Sequence, residues 1–220
     1  MTDQSSHNEH DSPRHDSDVR DGKTALWQVG REVAGFVPFI GDIVRVAEVS
    51  SSVRDILFQK KVERLLRGLG KAQDREREAW HIDQDPDYAN RVGVFVMLQL
   101  DKYEDMEKAD LLATALRAHL CKRLSFEQLR QAAHAIGTCF PVDLLRLHQF
   151  QKLRTGSQEG VQYPQLRLGS SEGSRLSGAG LVEPWVLGGG GTLGPGNNLA
   201  QYRLTSTGQM MLDNVLGESP

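Results

Sequence analysis

The chain has 220 residues and a mass of 24.5 kDa; 39% of its residues are apolar, 25% are charged, and the net charge is −3. These figures exclude a wholly disordered chain and a membrane-embedded one, and the length fits one domain or one and a half. Two cysteines exclude a disulfide scaffold and fit a reducing compartment. The net charge hides a blocky chain: residues 1–22 carry −4, 23–82 carry +3, 83–116 carry −5, 117–154 carry +5 and 155–220 carry −2. Glycine is equally uneven, with 14 of 22 after residue 154, so the first two thirds is free to be helical and the last third is richer in turns.

Residues 1–22 hold six acids, three histidines and one aliphatic side chain, Val19. No apolar signal core is visible, which points to a cytoplasmic protein, and so polar a stretch is expected to be a disordered acidic tail. His7, His10 and His15 are irregularly spaced within it, so no metal site is expected there.

Leu26, Val29, Val33, Phe36, Ile40, Ile43 and Ala47 recur at spacings of three and four, which is helix period. Pro38 removes a backbone donor and predicts a break near Val37. The apolar pattern resumes through Val53, Ile56, Leu57, Val62, Leu65, Leu66 and Leu69 and ends at Gly68 and Gly70. Only nine uncharged residues separate Glu32 from Asp42. As helix they span roughly 14 Å, against about 30 Å of hydrocarbon, so they cannot cross a bilayer. Bundle core is the leading reading of this doubly apolar segment. The alternative lays Phe36, Val37, Phe39 and Ile40 on a membrane surface or a partner, with residues 33–58 as the contacting stretch.

Residues 71–80 read as a solvated helix end. Asp83, Asp85 and Asp87 are no calcium loop, because Tyr88 stands where glycine is needed and Val94 where the bidentate glutamate belongs. Asp85 or Asp87 is instead expected to cap a helix over 88–103. Further helices are predicted at about 105–122, at 126–138 behind a capping box of Ser125 and Gln128, and at 142–153 behind Pro141.

Catalytic patterns fail on physical grounds. Gly169-Ser-Ser171-Glu-Gly173 matches the short nucleophile-elbow pattern, but the last histidine, His148, precedes Ser171, and no α/β sheet is predicted around it. Glycines 188–191, Gly194 and Gly196 lack the lysine of a phosphate loop. His119, Cys121, His134, Cys139 and His148 have no close ligand pair. The expectation is a non-enzymatic protein with no cofactor and no metal.

The C-terminus is more specific. Arg175-Leu-Ser-Gly-Ala-Gly-Leu-Val-Glu183, the glycine loop to Asn198, and Gln201-Tyr-Arg-Leu-Thr-Ser-Thr-Gly208 resemble the second half of a winged helix-turn-helix domain. The resemblance implies strands at 181–187 and 199–204 forming a two-stranded hairpin, then a helix capped by Thr205 or Ser206 with Gly208 in its first turn. The helical segment Gly35-Phe-Val-Pro-Phe-Ile-Gly41 through Lys61 is similar to bacterial proteins of unassigned activity with a winged-helix-like tail, which implies a prokaryotic origin.

The expected architecture is therefore mainly α: a helical region at 23–122 and a small α+β winged-helix-like module at 123–220. Its function would be regulation or interaction, with a protein or DNA as partner; peripheral membrane contact and homo-oligomers stay open. The family's DNA-reading helix would lie at 165–177, where serine and glycine make a poor helix and Arg167 and Arg175 are the cations. The wing holds no Lys or Arg, so phosphate contacts would fall to Arg117, Lys122, Arg123, Arg130 and Arg146 of the basic block. The competing role for that block is internal pairing with the acidic block at 83–116.

Overall fold

A computed structural model of the chain describes residues 28, 30, 38–48, 53–78, 80, 85–156, 166–185 and 199–217. The acidic tail, Phe36, Val37 and the glycine loop at 188–196 lie outside the described residues. The described chain is mainly helical, with a small antiparallel sheet near its C-terminus. No described helix is long and apolar enough to cross a membrane.

Helix α1 (Pro38–Glu48) has Pro38 as its first described residue. Its apolar stripe turns inward: Phe39, Ile40, Ile43 and Val44 are all buried. Helix α2 (Val53–Gly70) buries Val62, Leu65, Leu66 and Leu69 and leaves Ile56 and Leu57 about half exposed. A short helix α3 (Asp74–Glu78) follows, then α4 (Pro86–Lys102), which Asp85 caps by accepting the Asp87 amide at 3.0 Å. α4 buries Ala89, Val92, Val96 and Leu100 at helical spacing.

Helix α5 (Glu107–Leu120) is the axle of the fold. It buries Ala109, Leu112, Ala113, Ala115, Leu116, Ala118 and Leu120, more than one face, because it packs on α2 at one side and on the C-terminal helix at another. A tight turn follows, in which Lys122 takes the left-handed conformation (φ 58°) and the amides of Arg123 and Leu124 both return to the Ala118 carbonyl. Helix α6 (Phe126–Thr138) carries the complete capping box: Ser125 Oγ accepts the Gln128 amide and the Gln128 side chain accepts the Ser125 amide at 2.8 Å. Helix α7 (Pro141–Gly156) buries Leu144, Leu147 and Phe150.

Among the described residues the sheet has three strands in the order β1-β3-β2, so the expected pair of later strands is present and gains a third. Strand β1 (Leu166–Gly169) pairs with β3 (Leu199–Leu204), and β2 (Val182–Pro184) pairs with its other edge. The extra strand corrects the reading of 165–177 as one poor helix. Leu166-Arg-Leu168 alternates, Leu168 is buried, and pairing with β3 satisfies the backbone although leucine and arginine also favour helix, so the tertiary partner decides its state. Ser170–Gly178 then does form a helix, α8. It ends where Gly180 turns to φ 72° and the Leu181 amide reaches back to the Leu176 carbonyl, a left-handed stop that glycine adopts without strain.

The last helix, α9 (Ser206–Met211), continues as a π-turn over Leu212–Leu216. Thr205 caps it through the Gly208 amide at 3.0 Å. Gly208 is required by space: a Cβ there would lie 2.0 Å from the Leu181 carbonyl oxygen. Met211, Leu212, Val215 and Leu216 are buried against α5, α6 and α7, so one hydrophobic cluster runs from Phe39 to Leu216. The boundary drawn at 122/123 falls between α5 and α6, inside this shared core.

Candidate binding surfaces of the C-terminal half

The basic block is largely spent inside the fold. Arg117 donates to Glu76 at 2.6 Å with its side chain 14% exposed, and Arg123 reaches the other oxygen of the same carboxylate at 3.6 Å. Segment 71–80 is thus no mere solvated end, because Glu76 anchors α3 to the end of α5 with two charge-assisted contacts. Cys121 adds a weak sulfur contact to the Glu76 carbonyl. Arg146 of α7 pairs with Glu172 of α8 at 3.3 Å, and Arg130 pairs with Glu127 one turn away at 3.3 Å. Lys122 and Arg167 are exposed, on the turn after α5 and on β1.

Arg175 is the most strongly held of the predicted site residues. Its Nε and a terminal nitrogen donate to the two Asp143 oxygens at 2.6 and 3.0 Å, a bidentate fork that pins α8 to the start of α7. Asp143 is buried, and its hydrogen bonds and charge raise the guanidinium pKa above the ordinary value. The guanidinium also sits 5.2 Å over the Phe140 ring. A helix whose cation is locked onto a neighbouring helix presents Ser170, Ser171 and Ser174 to solvent, and serine gives no phosphate charge. Ser171 follows an edge strand of an antiparallel sheet, whereas an elbow serine tops a central parallel strand.

The two alternative-surface residues within the described chain, Phe39 and Ile40, are 4% and 0% exposed. They belong to the bundle core and offer no face to a membrane or a partner in this fold.

The histidine and cysteine residues considered as ligands are used otherwise. His119 is buried between α4 and α6. Its Nδ1 donates to the Leu124 carbonyl at 2.9 Å, which can only accept, so its Nε2 is the acceptor for the Tyr88 hydroxyl at 3.2 Å. Burial outweighs the Leu124 hydrogen bond and lowers its pKa. Burial likewise pushes the Cys139 thiol up to about 11, with Asp143 adding to the shift. Among the described residues no group of three or more His, Cys, Asp or Glu could hold a metal ion.

An apolar surface escaped the sequence reading. Phe140, Val142 and Leu145 are 55%, 62% and 58% exposed at the start of α7. Beside them lies a cavity of about 380 Å³ lined by Arg64, Asp105, Met106, Glu107, Phe140, Pro141 and Val142. The signal was there: Val142 and Leu145 fall off the buried stripe of Leu144, Leu147 and Phe150, so the fold has no use for them. A second, polar surface lies along α6, where Arg130 and His134 line two cavities at once. No protein-family model, curated protein or solved structure matches this chain.

Proposed function

We propose that the chain is a non-enzymatic interaction protein that binds a protein partner through the apolar start of α7, within a winged-helix-like half. The observation that carries this reading is the exposure of Phe140, Val142 and Leu145 together. Full burial of such side chains is worth roughly 1.5–3 kcal/mol each, and with more than half of each exposed most of that gain is still available to a partner. Arg64, Asp105 and Glu107 rim the adjoining cavity, giving the apolar centre and charged edge of a protein interface. The winged-helix reading draws on a sheet in which β3 lies between β1 and β2, with a helix joining β1 to β2. Nucleic acid is the weaker reading of this half because Arg117, Arg123 and Arg175 are held within the fold by Glu76 and Asp143 and are not free to meet phosphates. Cys121 and Cys139, both free thiols, suit the cytoplasmic, regulatory setting proposed here.

The test is affinity capture from nuclease-treated lysate, comparing the parent chain with Val142→Glu/Leu145→Glu. Both sites are exposed, so the variant should keep its circular dichroism and thermal midpoint while losing the captured protein. Recovery of the same proteins by both chains would remove α7 as the interface; loss of all captured material on nuclease treatment would favour nucleic acid.

A further inference from the structure

The exposed side of α6 carries a second surface, independent of the apolar one. A cavity of about 320 Å³ opens between the last turn of α4 and α6, with Gln99, Lys102, Arg130, His134 and Thr138 among its lining groups. No carboxylate lines it. A second cavity of about 390 Å³ adjoins α9 and the end of α8 and shares Arg130 and His134 with the first, but the Glu127 carboxylate lines it, so the first cavity is the one suited to an anion. Volumes of this size lie at the lower end of small-molecule sites.

Two features could spoil an anion site here, and neither does. The groove lies near helix C-termini, whose carbonyls repel anions. Part of that negative end is already answered: Ala135 accepts the Cys139 amide, Gly137 accepts Lys108 Nζ at 2.9 Å, and one turn earlier Ala133 accepts the Tyr103 hydroxyl at 3.0 Å and His134 accepts Thr138. Arg130 has Glu127 as a partner, but the two side chains are 57% and 67% exposed at 3.3 Å. An exposed pair of this kind is weak and readily exchanged. Lys102, at the last turn of α4, comes from a different element, so the cationic groups converge on the groove from two helices.

We infer that Lys102, Arg130 and His134 form a binding groove for a phosphate-bearing ligand. Arg130 provides the fork that matches phosphate oxygens, Lys102 a point charge, and Gln99 a neutral donor. Free nucleotides and nucleic-acid strands share that chemistry.

The test is fluorescence anisotropy of the full chain with a labelled single-stranded oligonucleotide at low ionic strength, with unlabelled ATP and inorganic phosphate as competitors. Lys102→Glu/Arg130→Glu should weaken binding at least tenfold with unchanged circular dichroism. The charge-matched control Arg45→Glu/Lys60→Glu, on α1 and α2, should change it less than threefold. Competition by ATP or phosphate assigns a small phosphorylated ligand, and resistance to both assigns the phosphodiester strand. Neutralising both cations as Lys102→Gln/Arg130→Gln should also lower the slope of log affinity against log salt by about 1.4. No binding of any of the three probes, or an equal loss in variant and control, overturns the inference.

Discussion

His119 sets the protein's response to acid at the scale of one side chain. Its ordinary pKa is 6.5, and burial holds the folded value lower. Between the two values the unfolded chain binds a proton that the folded chain refuses, so the stability due to the neutral ring is complete above pH 6.5 and falls as pH drops toward the folded value. Urea midpoints should therefore decline from pH 7.5 to 5, and His119→Asn, which keeps a donor for Leu124, should flatten the decline; parallel profiles would remove His119 as its source. Gly208 is the opposite kind of residue, defined by space and not by charge. Gly208→Ala forces a methyl against the Leu181 carbonyl and should cost about 3 kcal/mol in equilibrium unfolding. Its position after Thr205 was legible in the sequence; the Leu181 carbonyl against it was not, because that contact depends on how α9 meets the strand after α8.

At the scale of elements, what could be read locally was read well. The Ser125 capping box rests on two residues three apart, Asp85 and Thr205 are each one of the two cap candidates the sequence offers, and the strand at Leu199–Leu204 follows from the winged-helix resemblance. Ser125→Ala should lower stability by about 1 kcal/mol and Ser125→Asp should keep most of it, measured by urea denaturation. Elements whose identity depends on a distant partner were not legible. β1 exists because β3, some thirty residues later, accepts its backbone; the alternation within Leu166–Leu168 is too short to announce it alone. The same holds for α3, whose value lies in Glu76 meeting Arg117 and Arg123 across the fold. The opposed charge blocks implied pairing of 117–154 with 83–116, but the described ion-pair partners of Arg117, Arg123, Arg130 and Arg146 are Glu76, Glu127 and Glu172, all outside 83–116, because the fold and not the charge count decides which acid meets which arginine. The apolar surface of α7 was half legible: helical phase separates Val142 and Leu145 from the stripe, while exposure is settled only by where the stripe packs.

At the scale of the whole molecule, α5 and the C-terminal helix share one core, and this has a consequence for unfolding. A fragment of residues 123–220 lacks α5, leaving Leu212, Val215 and Leu216 without part of their packing surface. It should show exposed apolar surface by dye binding and no cooperative melt, whereas the described core of the full chain should unfold in one transition by fluorescence and circular dichroism. Two separated transitions in the full chain would mean that the bundle and the sheet are independent units.

The order of the sheet has a further consequence for self-assembly. Among the described residues, placing β3 in the middle leaves β1 and β2 as the outer strands, with four and three described residues. β1 carries Arg167 pointing to solvent, and β2 ends in Pro184, which has no amide to donate. Short, charged and proline-terminated borders of this kind give an incoming strand too few consecutive hydrogen bonds to dock. Along these described borders, association between copies of this chain should thus proceed through side-chain surfaces and not by strand addition.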